Sequence, residues 1–381
     1  MLLGDVSRSL LRDAQVIGRK VGWRRSRWRR SVRSVGALPS TANFVAISCS
    51  HHLAQTQIYP FHLYARQIRE RYGATFCEID VDDFARTSTG HSRPQVKWVA
   101  FQTWFDLTDD AISETVQAIR AAFPEAELIY LDFFAPLDLR YARVLAPRVK
   151  TYVKKQVFKD LAHYREVTLG DTNLTDFYGR RHGLSLPEKQ HEFPDGFEKK
   201  LLVGPNFCIS PHMVDRFAGT LPSSQRAIDV HARIATKGVD WYQKMREEAR
   251  QAAVTLPGVV TVADGRVSQS QFFSELRNSK MCFSPFGYGE VCWRDYEAIF
   301  SGSLLVKPRM DHVRVVPSIF VPGETYVPIA WDCSDYGEKM LQYLSDAPRR
   351  REIAANAFDV IRRHILSTST VDDLKPMFTS S

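Results

Sequence analysis

Cysteine is scarce and scattered: six cysteines (Cys49, Cys77, Cys208, Cys282, Cys292, Cys333) stand in 381 residues, with no C-x-x-C pair. Their flanks, such as AISCS and TFCEI, read as buried strand positions. That argues against a disulfide framework or a structural zinc site and fits a reducing compartment. No run approaches ~18 consecutive apolar residues, so no membrane-spanning helix is expected. The first residues lack the apolar region of a secretory signal, and the expected location is cytoplasmic. Internal repeats and heptads are also missing, which sets aside solenoids and coiled coils.

Charge of one sign is missing from most of the chain. Of 51 basic and 43 acidic residues, residues 1–36 hold ten and two, leaving 41 of each beyond. The net charge of +8 therefore belongs to an N-terminal arm. Trp23 and Trp28 lie among its arginines. That mixture suits an anionic membrane surface, where each Lys or Arg contributes about 1 kcal/mol. A disordered leader or a transit peptide has the same composition. A neutral body argues against a nucleic-acid partner. The arm is expected over residues 1–40, closed by Pro39-Ser40-Thr41, holding the protein peripherally at the inner membrane face.

The rest is long enough for two domains, expected at 41–215 and 216–381. Short apolar runs alternate with helical spacing: strands at Asn43–Cys49, Thr75–Asp80, Lys97–Phe105 and Glu127–Phe133, and helices over Gln57–Tyr72 and about 109–123. Residues 170–205 form a polar, Gly- and Pro-rich stretch expected to be irregular. Beyond it come strands at Ala227–Arg233, Val259–Ala263, Lys280–Pro285 and Ser303–Pro308, with a capping box at Ser268-x-x-Gln271. A helix is expected over Val291–Ser301, stopped by Gly302, and helices over most of 335–365. Alternation of this kind predicts an α/β fold of two Rossmann-like, doubly wound domains facing a central cleft, with ligands beyond the carboxyl ends of the strands.

The densest chemistry is SPFGYGEVCWRDYEAIFSGSLLVKP, residues 284–308. Gly287, Tyr288 and Gly289 sit between a strand and a helix N-terminus, where backbone N–H groups favour an anion. Glu290, Arg294 and Glu297 are spaced to share one helix face, so a carboxylate could hold a ribose and a guanidinium a diphosphate. Surface ion pairs would show the same spacing. Arg233 and Lys237, at and beyond the end of the strand AIDVHAR, make a second cationic pair for the diphosphate. Asp80-Val81-Asp82 matches a D-x-D metal motif, yet such tripeptides are common at strand ends, and no metal site is expected.

The segment GYGEVCWRDYEAIFSGSLLV resembles the donor-binding segment of exostosin-like glycosyltransferases, over roughly residues 225–365. More loosely it is similar to the Glu-rich helix of other GT-B transferases, although the position upstream of Glu297 where they carry their first glutamate holds Gly289. The resemblance implies a metal-independent glycosyltransferase with no cofactor beyond its nucleotide-sugar donor and a glycan or lipid-linked acceptor. It assigns Glu297 to the ribose or donor sugar and Arg294 to the diphosphate. A base from the first half would activate the acceptor. His51 and His52 beyond the first strand are the candidates, then Asp132 at the end of LIYLD; His312 could reach the donor, and residues 170–173 and His182 could meet the acceptor or merely cap a helix. A nucleotide-sugar epimerase and a non-catalytic nucleotide-sugar binding protein are the alternatives.

Overall fold

The computed structural model describes residues 31–222, 225–263 and 265–379. The arm up to residue 30, on which the membrane expectation falls, lies outside them.

The first half is built on a seven-stranded sheet. Its strands are β1 (Ser31–Val32), β2 (Phe44–Ser48), β3 (Phe76–Asp80), β4 (Trp98–Phe101), β5 (Glu127–Asp132), β6 (Thr151–Lys154) and β10 (Leu201–Val203), all parallel in the order β1-β3-β2-β4-β5-β6-β10. Buried FVAIS and WVAF explain the two central strands: with both faces covered by helices, every position is apolar or hydrogen-bonded. Between β6 and β10 lie β7 (Gln156–Phe158), β8 (Thr168–Leu169) and β9 (Glu188–Lys189).

The second half has a five-stranded parallel sheet. Its strands β11 (Ile228–His231), β12 (Thr261–Val262), β13 (Ser279–Phe283), β14 (Leu304–Pro308) and β16 (Val327–Ile329) run in the order β12-β11-β13-β14-β16. The strand order reverses beside β2 in the first sheet and beside β11 in the second. At such a switch point the crossovers leave in opposite directions and open a crevice at the carboxyl edge.

Three features join the halves. β15 (Val313–Val315) pairs antiparallel with β7. The chain's last helices return to the first sheet: Tyr64 and Tyr72 donate to the carbonyls of Ile365 and Val371, and the Phe378 ring packs on Phe44 and Trp98. The loop after β13 presses on the loop after β5, where a Cβ on Gly289 would overlap the Ala135 carbonyl. One apolar core therefore runs through both halves.

Several sequence expectations change. Residues 31–40 do not belong to a free arm: Ser31–Val32 adds an edge strand, and Val35 and Leu38 are buried. The stretch 170–205 contains the helix Asn173–Arg181, opened by a Thr172/Thr175 capping box, as well as β9 and β10. Ser268 caps its helix, but the Gln271 side chain runs forward to Glu275 instead of back to the cap. Gly302 ends the helix Trp293–Phe300 with φ +70°, as the sequence predicts.

Asp132 is fully engaged. Its carboxylate accepts from Tyr152 (2.7 Å), from Lys154 (2.9 Å) and from the Phe134 amide (2.9 Å), and neither member of the Asp–Lys pair is exposed. Both oxygens of this candidate base thus hold the first sheet together. Asp132→Ala would leave Lys154 buried and alone, so urea unfolding should show a loss of about 3–5 kcal/mol. A variant of unchanged stability that lost only activity would return Asp132 to the chemistry.

Candidate active site between the two halves

The second half brings a loop and a helix start to the seam. Residues 284–292 connect β13 to the helix Trp293–Phe300, whose N-terminal turn is fixed by Asp295. This carboxylate accepts from Ser284 (2.6 Å), from the Cys292 amide (2.8 Å) and from fully buried Lys307 (3.1 Å). Arg246 ties the same loop to the loop after β11, donating to the carbonyls of Phe286 and Ala235, each at 2.9 Å. Sequence reasoning passed over Arg246, because nothing local marks a helical arginine as the clasp between two loops.

The predicted donor residues divide. Arg294 and Glu297 lie on the helix, but Glu290 precedes it in the loop, so the three do not share a helix face. Arg294 Nη2 donates to the Arg233 carbonyl at 2.5 Å, which sets its guanidinium at the carboxyl end of β11. Arg233 itself is committed to a bidentate pair with Glu275 (2.6 and 2.8 Å), while Lys237 is exposed in the following loop. Burial pushes the Glu297 carboxyl up to about 7, against the pull of Arg294. The Gly287 amide, expected to face an anion, instead donates to the Gly289 carbonyl (3.0 Å). Tyr288 stacks on Tyr242 with ring centroids 4.3 Å apart. Gly289 serves the approach of the two halves, where no Cβ fits.

Glu290 is buried across the seam. Its Oε1 accepts from Asn173 Nδ2 of the first half (2.9 Å) and lies 3.5 Å from His312 Nε2, while Oε2 has no hydrogen-bond partner among the described residues. Beside it opens a cavity of about 330 Å³ with walls from both halves, including Asp138, Tyr164, Asp171, Asn173, His312 and Trp331. His182 lies outside, at the end of its helix and 3.6 Å from Glu248.

From the first half come His51 and His52, just past β2, with ring centroids 4.3 Å apart. His52 lies over Trp293 of the second half at 6.4 Å. His51 Nδ1 accepts the Leu53 amide (3.3 Å), so the neutral ring carries its proton on Nε2. Burial, reinforced by Lys155, pushes His51 down to about 4; burial with His51 and Lys155 pushes His52 down to about 3. Asp80 caps its own helix at the Asp82 amide (2.9 Å) and accepts from Ser50, and among the described residues no cluster of three His, Cys, Asp or Glu is arranged to hold a metal.

The two imidazoles set a pH dependence. The unfolded chain takes up these protons near pH 6.5, whereas the folded chain refuses them until about pH 4 or below. Stability therefore falls as pH drops from about 6.5 to about 4. Urea unfolding across this range should show a shallower fall for the His51→Gln, His52→Gln double variant; an unchanged slope would mean that neither ring is depressed.

No family model matches the chain, and no curated protein matches it. Solved structures do. An alpha-glucosyltransferase (AGT) in complex with UDP is 8% identical, with 88% of this chain and 100% of that chain covered and a TM-score of 0.50. A glycosyltransferase from Rickettsia africae ESF-5 is 10% identical over 89% and 99% at a TM-score of 0.47. TarM is 10% identical over 74% of this chain at a TM-score of 0.45, and the match spans 55% of that longer chain. Two parallel, doubly wound sheets facing each other across a seam, together with the likeness to AGT, show the GT-B fold.

Proposed function

We propose that the protein transfers a glycosyl unit from a nucleotide-sugar to a glycan or lipid-linked acceptor. The observation that carries this reading is the pair of parallel, doubly wound sheets in a GT-B arrangement, with Glu290 of one half held across the seam by Asn173 of the other. A site closed by two bodies can enclose a sugar and exclude water during transfer.

The second half would hold the donor. Arg294, carried by the Arg233 carbonyl, meets the diphosphate, and the exposed Lys237 adds charge to the same edge. Glu297, one turn further along the helix, faces the ribose or sugar hydroxyls. Positive side chains and the start of the helix would offset the charge of the departing diphosphate without a metal. The motif of residues 287–306 is the ground for an exostosin-like refinement of this reading. In the first half, His52 remains the candidate base, because the Nε2 of His51 bears the ring's proton while its Nδ1 accepts the Leu53 amide.

AGT is seen with UDP, which makes uridine nucleotides the first of a panel of nucleoside diphosphates to test by thermal unfolding. A bound nucleotide at 100 times its Kd adds about 2.7 kcal/mol. Arg294→Ala should weaken that nucleotide by about 1.5–3 kcal/mol, tenfold or more. Equal stabilisation of wild type and variant would move the diphosphate away from Arg294.

The basic arm is proposed to bind anionic membrane. Removing residues 1–30, which spares the edge strand, should leave nucleotide binding intact and abolish sedimentation with vesicles rich in anionic lipid. Equal sedimentation of the two proteins would end the membrane role.

A further inference from the structure

Lys154 and Lys155 are neighbours with opposite fates. Lys154 closes the buried pair with Asp132. Lys155, also fully buried, has no hydrogen-bond partner for its Nζ among the described residues; the ammonium sits 4.3 Å from the centroid of the Phe207 ring. Asn206 pins the Lys155 carbonyl (3.0 Å), so the backbone that presents this side chain is fixed. Burial, with Lys154 adjacent, lowers Lys155 to about 7.

Two more buried nitrogens nearby lack partners. One is His51 Nε2, whose electrostatic neighbour is Lys155. The other is Trp293 Nε1 of the second half, whose indole stacks on the same Phe207 ring at 4.6 Å. An indole nitrogen only donates, Lys155 in its ammonium form only donates, and His51 has its proton on Nε2 because Nδ1 accepts the Leu53 amide. The seam thus gathers three donors from both halves, none of which meets an acceptor among the described residues. A buried donor without a partner costs stability, and a buried unpaired lysine costs more. Cation–π contact with Phe207 offsets only part of that.

We propose that Lys155 Nζ, His51 Nε2 and Trp293 Nε1 form a binding site for a substrate oxyanion, a phosphate or carboxylate group, across the seam. The site rests on the reading of this seam as the substrate cleft, and it does not use Arg294, whose guanidinium donates to the Arg233 carbonyl. Two parts of the substrates could bring the oxyanion: the diphosphate of the donor, or an anionic group on the acceptor such as a lipid-linked phosphate. Because the site draws on both halves, an occupant would also hold them together.

The test uses the full chain and inorganic phosphate, so it does not depend on nucleotide binding. Phosphate titrated in thermal unfolding should stabilise the wild type. Lys155→Met keeps the length of the side chain without its charge. It should raise the melting temperature of the phosphate-free protein and weaken the phosphate response about tenfold or more. Trp293→Phe retains the ring and removes the N–H, and should weaken the response several-fold while the fold is kept. Loss of ligand response together with a gain in stability is the signature that a structural lysine would not give. Repeating the titration with saturating UDP separates the sources. Competition assigns the site to the donor diphosphate, and an additive response assigns it to the acceptor. Equal phosphate responses in wild type, Lys155→Met and Trp293→Phe would overturn the proposal, as would a melting temperature lowered by Lys155→Met with the response intact.

Discussion

The site depends on how closely the second half approaches the first at Gly289. No side chain fits there, because the Ala135 carbonyl occupies the space a Cβ would take, and Gln156 holds that carbonyl from the other side at 2.6 Å. From this contact the neighbouring residues fall into place. Glu290, one residue on, is delivered to Asn173 and His312; Trp293, at the helix start, is delivered to His52 and Phe207. The β7–β15 pair braces the seam beyond. A glycine that sequence reasoning gives to a phosphate is explained in the structure by a backbone passing a backbone.

Both halves solve the same problem at the carboxyl edge of their sheets, where apolar strands end and polar chemistry must begin. Each places a fully buried Asp–Lys pair there, Asp132 with Lys154 and Asp295 with Lys307. Buried pairs of this kind add little net stability over an apolar alternative, but losing one partner is costly. Their value is positional: the first pair fixes the ends of β5 and β6 next to Lys155, and the second fixes the helix that carries Arg294 and Glu297.

What was legible in the sequence was local. Short apolar runs and helical spacing marked most parallel strands and the helix around Arg294, and Gly302 marked where that helix stops. Partners distant along the chain were not legible. Arg233 looks like a free cation until Glu275, 42 residues on, closes on it, and Asp132 looks like a base until Lys154 and Tyr152 claim it. Short strands such as β1 and β10 lack the length to show a period and exist because β3 and β6 offer them an edge. Lys155 carries no motif at all; only its burial without a partner marks it.

Among the described residues the seam leaves groups of both kinds unpaired: Lys155 Nζ, His51 Nε2 and Trp293 Nε1 on the Trp293 side with the Gln156 oxygen close by, and Glu290 Oε2, Asn173 Oδ1 and His312 Nε2 beside the cavity. Any one of these atoms satisfied within the protein would make the closed seam more stable. Left as they are, they lower the stability of the empty closed state and raise that of an occupied one, because a ligand that meets them recovers hydrogen bonds the protein does not make itself.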